Sequence, residues 1–157
     1  MNIKTTLALA ATTLILAACG GGSAPAADNG GSGKGEISTN RTTAFKAMMP
    51  DFSSMGKMVK GEETYDVEKF KTHAAAFAEN GKKPFEFFQN DPQGNGDALP
   101  NIWEKPAEYK AEEDKFLAAI DNLNAKAQAG NLEEIKVAYG EVGASCKSCH
   151  DTYRRPK

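Results

Sequence analysis

The sequence predicts an all-α protein, an up-down-up-down four-helix bundle, on three observations. Four segments carry apolar residues at alternating steps of three and four. Most of the breaks between them are short and marked by Gly or Pro, as antiparallel neighbours require, and no segment shows the alternation of a half-buried strand.

The first helix places Phe45, Met48, Phe52, Met55 and Val59 on one face, with Pro50 as an expected kink. Val67, Phe70, Ala74 and Phe77 do the same in the second, which Asn80-Gly81 should stop. The stretch from Pro84 to Pro106 reads as a long loop rich in Gly and Pro. Its Phe85, Phe87, Phe88, Ile102 and Trp103 predict that it packs over the bundle. The third helix should run from Pro106 to Ala129, with Phe116, Ile120, Leu123 and Ala127 in register and Gly130 ending it. In the fourth, Leu132, Ile135, Tyr139, Val142, Cys146, Cys149 and Tyr153 alternate strictly by three and four, which turns both cysteines to the core.

The 157 residues leave room for one domain after an N-terminal leader. Residues 1–18 combine an early Lys4, an apolar stretch from Leu7 to Leu16 and small residues before Cys19, the parts of a secretory signal peptide. Leu16-Ala17-Ala18-Cys19-Gly20 resembles a bacterial lipobox, so Cys19 is the expected lipidation site and the protein an expected membrane-anchored, periplasmic lipoprotein. Residues 19–36, mostly Gly, Ala, Ser, Asn, Asp and Pro, read as a flexible tether ahead of the bundle at 37–157. With 25% charged residues and a formal net charge of -2, the chain lacks the basic excess of a nucleic-acid binder.

Cys146-Lys147-Ser148-Cys149-His150 is C-x-x-C-H, the attachment signature of haem c. Two cysteines one helical turn apart can reach the two vinyl groups of one porphyrin, and the histidine that follows supplies an axial ligand to the iron. A thioredoxin-type pair would open a helix after a strand, whereas this one closes the last helix of an all-α chain. A zinc site would need four ligands, and with Cys19 assigned to lipid the one other candidate is His73, which reads instead as a half-buried or surface histidine. Asp91-Pro92-Gln93-Gly94-Asn95-Gly96-Asp97 is acidic but lacks the ligand pattern of a calcium loop and reads as a turn. One covalent haem c is the expected cofactor.

A C-x-x-C-H near the C-terminus of a four-helix chain resembles cytochrome c′, the class II c-type cytochromes. Arg41 in the first helix, the Leu99-Pro100-Asn101-Ile102-Trp103 stretch and the ending from Cys146 to Arg154 add to the likeness. The resemblance implies that Arg41 lies near the haem propionates, that Phe45 covers the distal face of the iron, and that Arg154 stands beside the proximal His150. It implies nitric oxide and other small gases as ligands, protection from nitrosative stress, an unidentified redox partner and a homodimer paired through the first two helices. Met49, Met58 and Val59 are the residues expected to extend the apolar face of the first helix toward a partner copy. Low-spin relatives carry methionine where this chain has Phe45, so the resemblance also implies five-coordinate iron. The alternative is a low-spin electron carrier whose sixth ligand is Met48 or Met49.

Overall fold

A computed structural model describes residues 33–156; the signal, Cys19 and most of the tether lie outside the described residues. Five α-helices are present among the described residues: α1 (Glu36–Lys60), α2 (Val67–Asn80), α3 (Asn101–Glu104), α4 (Pro106–Ala129) and α5 (Leu132–Tyr153). The four long ones form the bundle: α1 packs on α2, α2 on α4, α4 on α5, and α5 closes back on α1. Each bound has a local cause. The Asp66 carboxylate accepts the Lys69 N–H at 2.9 Å to start α2, and the Asn131 side chain accepts the Glu133 N–H at 3.1 Å to start α5. Pro106 opens α4, while Gly61 and Gly130, with φ of 75° and 79°, end α1 and α4 in the left-handed conformation.

The start of α1 is capped from a distance. Gly35 has no side chain to offer the helix, and the Asp91 carboxylate takes that role, accepting the N–H of Ser38 at 2.9 Å and of Gln93 at 3.0 Å. A negative charge against the amides of a first turn is well placed for the helix dipole. Only glycine fits at position 35, because a Cβ there would lie 2.2 Å from Asp91 Oδ1. The Asp91–Asp97 segment is a turn, as its sequence suggested, and its groups are engaged by the start of α1 as well as by one another.

Met55, Met58, Phe70, Phe77, Ile120, Leu123, Ile135 and Val142 fill the centre of the bundle. Phe52 stacks between Phe77 and Tyr139, with ring centroids 5.2 and 4.3 Å away, and the Tyr139 hydroxyl donates to the Phe52 carbonyl at 3.1 Å. Tyr139 reaches α1 because Gly56 faces it: a Cβ on Gly56 would stand 2.4 Å from the tyrosine oxygen. The helix continues through Pro50.

Two expectations need correction. The Pro84–Pro106 stretch is not all loop, since it holds a 3₁₀ helix at Lys83–Phe87 and the short α3. It does pack over the bundle, with Phe85 reaching both hydrophobic clusters. Met58 does not extend an outward face of α1: it is buried in the core, Val59 is half-buried against it, and only Met49 of the three is exposed, at 49%.

Candidate functional site

Burial divides the aromatic and aliphatic side chains into two clusters, and the C-x-x-C-H motif on α5 spans them. Cys146 packs against the main core; Cys149, three residues on, packs against a second cluster of Ile102, Tyr109 and Tyr153. Phe85 touches both clusters, with its ring 5.8 Å from Phe116 on one side and 5.8 Å from Phe88 on the other. Ser148, between the cysteines, donates to Glu112 on α4 at 3.0 Å and fixes the motif against its neighbour helix.

Burial pushes both thiols up to about 11. They are therefore neutral near pH 7. Among the described residues no group of three or more His, Cys, Asp or Glu side chains could hold a metal ion. His73 pairs with Asp51, Nδ1 to Oδ1 at 2.9 Å, and is half-buried as expected.

On the facing helix, Phe45 is half-buried and meets Phe85 and Phe88 edge-on, at centroid distances of 6.0 and 6.2 Å. One turn earlier Arg41 is 6% exposed. Its guanidinium donates to the carbonyls of Phe87 at 2.9 Å and Asn95 at 2.7 Å and lies over the Phe88 ring, 4.8 Å from the centroid. Burial holds this guanidinium below its usual pKa, though still a cation at any ordinary pH. Met48 is buried in the same core as Phe45, and Met49 faces outward.

The structure does not gather all the predicted residues on one wall. His150, about 100° around the helix from Cys149, stands on the exposed edge of α5, in a shallow pocket shared with Asp151, Arg154, Arg155 and Pro156. Arg154 has left the helix: its backbone is extended, its N–H donates to the His150 carbonyl at 3.2 Å, and it bridges to Ala98. Sequence reasoning passed over Tyr109. Its place seven residues before Phe116 on the same helix face was the available signal, and the structure makes it the hub of the second cluster, 5.0 Å from Phe88 and 5.4 Å from Tyr153.

Two thiols turned inward one helical turn apart, a histidine directly after them and a buried tyrosine hydroxyl with no partner among the described residues fit a covalently held haem. Fold and site together define a c-type cytochrome whose haem-attachment helix comes last in a four-helix bundle.

Residues 36–154 match the family model described as Cytochrome C'. The chain is 38% identical over 117 residues to the cytochrome c′ of Alcaligenes xylosoxydans xylosoxydans, covering 74% of this chain and 91% of that one. It is 33% identical over 122 residues to the cytochrome c′ of Rubrivivax gelatinosus, covering 76% and 95%. A solved nitric oxide complex of a mutant cytochrome c prime from Alcaligenes xylosoxidans matches with a TM-score of 0.73 at 36% identity, covering 77% of this chain and 94% of that one. The chain belongs to the cytochrome c′ family, and its cofactor is one covalently bound haem c.

Proposed function

We propose that Cys146 and Cys149 hold the haem through thioether bonds, that His150 is its axial ligand, and that the protein binds nitric oxide and other small gases on the side covered by Phe45. The observation that carries this reading is Phe45 itself. A phenyl ring cannot ligate iron, and here it is held edge-on against the stacked pair Phe85 and Phe88, one turn from a buried arginine. The haem supplies an iron able to take a diatomic ligand; the chain supplies the environment. Phe45, Phe85, Phe88 and Met48 offer such a ligand no hydrogen-bond donor. That disfavours dioxygen, which gains from a donor, and leaves nitric oxide untouched. Relatives support the choice: solved cytochrome c prime variants from Alcaligenes xylosoxidans are described with nitric oxide bound, and one with carbon monoxide bound.

The biological role that follows is protection from nitrosative stress in the periplasm, with electrons exchanged with a redox partner. The protein would be held at the membrane by a lipid on Cys19, beyond a tether at residues 19–36, and the bundle would pair as a homodimer. Met49 on the outer face of α1 supports the pairing. The second reading, a low-spin electron carrier, rests on Met48, which is buried three residues beyond Phe45. An optical spectrum of the reduced protein decides between them. A five-coordinate high-spin haem gives one broad visible band, and sharp, separate α and β bands would overturn the gas-binding reading.

A further inference from the structure

Two buried polar groups of the site lack a counterpart. The Tyr109 side chain is 6% exposed and its hydroxyl has no hydrogen-bond partner among the described residues. Phenylalanine would pack as well without the cost of burying an unpaired hydroxyl. Arg41, equally buried, makes no ion pair among the described residues, although buried charges are ordinarily paired. Two of its five N–H donors reach carbonyl oxygens. The charge of Asp91 is felt at Arg41, but both Asp91 oxygens are already engaged by the amides of Ser38 and Gln93.

These two groups stand along one row. Arg41 lies over Phe88 at 4.8 Å, Phe88 packs on Tyr109 at 5.0 Å, and Tyr109 packs edge-on against Tyr153 at 5.4 Å. Arg41 and Tyr109 are close enough to influence each other electrostatically. A cation with no direct ion pair and a donor without an acceptor, both packed against the Phe88 ring, call for a single carboxylate. On a haem c the vinyl groups are spent in thioethers and the pyrrole nitrogens are on the iron, so the propionates are its only strong acceptors. The neighbouring Cys149 sulfur is a weak acceptor at best, and His150 stands on the outer edge of α5.

We infer that the Tyr109 hydroxyl donates a hydrogen bond to a haem propionate and shares that carboxylate with Arg41. Tyr109 is then a positioning residue, fixing the macrocycle from α4 while the thioethers fix it from α5. A donor on the propionate also draws negative charge away from the haem and so favours the reduced state. The inference rests on the haem assignment above.

The test compares wild-type, Tyr109→Phe and Arg41→Lys holoproteins, each first assayed for covalent haem. Wild-type protein without covalent haem would overturn the haem assignment itself. With haem present, the propionate bending band in the resonance Raman spectrum should respond to deuterium exchange in the wild type. In Tyr109→Phe it should shift and lose most of that response, and in Arg41→Lys it should shift as well. The ferric-to-ferrous ratio of Tyr109→Phe at fixed potential should rise about tenfold, which is 59 mV for one electron. Its melting temperature should fall, because a bonded hydroxyl has been lost. A propionate band and potential identical to wild type would overturn the inference. So would a melting temperature that rises, or a change confined to the iron–histidine stretch.

Discussion

If Phe45 covers the open face of the haem, shortening it to alanine should make the protein less stable and its gas binding tighter. The ring is half-buried and held by two edge contacts, to Phe85 and Phe88. Truncating a fully buried phenylalanine costs about 3–5 kcal/mol, so half-burial scales the loss to about 2 kcal/mol. A gas that must push the ring aside breaks the same two contacts, at about 0.5–1.5 kcal/mol each. Removing that cost should raise affinity by about 5- to 150-fold, at 1.4 kcal/mol per decade. Stopped-flow mixing of the ferrous protein with carbon monoxide gives the rate and affinity, and thermal unfolding gives the stability. The opposite signs are the signature, because a ring with only a packing role would lower stability and leave binding alone. Carbon monoxide kinetics indifferent to Phe45→Ala would show that Phe45 does not cover the iron and that α1 sits in another register.

Gly56→Ala should force Tyr139 off the Phe52 carbonyl, since its new Cβ would meet the hydroxyl at 2.4 Å while the ring is pinned by stacking. A loss of about 1–3 kcal/mol by denaturant unfolding is expected, and an unchanged midpoint would count against this packing. The Asp91 carboxyl is held below its ordinary pKa, chiefly by the Ser38 amide and then by the Gln93 amide, against the opposing effect of burial. Its contribution is therefore fully present above the unfolded value of about 3.9 and is lost as pH falls through the lower folded value. Asp91→Asn should flatten that acid limb of the stability profile, and an identical acid limb would refute the remote cap. Cys19→Ser should move the protein from the membrane to the soluble fraction on cell fractionation; continued membrane association would rule out the lipid anchor.

Much of the fold was legible in the chain because its signals are local. The bounds of α2, α4 and α5 follow from Asn80-Gly81, from Pro106 and Gly130, and from the three-four alternation that ends at Tyr153. The same alternation turns Cys146 and Cys149 inward, and each packs on one of the two clusters. The 3₁₀ helix and α3 were missed, since each is about one turn long and gives no periodicity to read.

What the sequence determined by itself is thus the all-α class, the motif and the helix face that carries it, all of which depend on residues a few positions apart. Only the tertiary structure decided what Arg41 does. Its partners Phe87, Phe88 and Asn95 lie about fifty positions away, on a connecting segment whose path no periodicity encodes. It also decided that Asp91 caps a helix starting 55 positions earlier, that Met58 turns inward while Met49 turns out, and that Tyr109 joins Phe88 and Tyr153 in one row. Such pairings are fixed by which helix lies against which, and that is settled by the packing of the whole core.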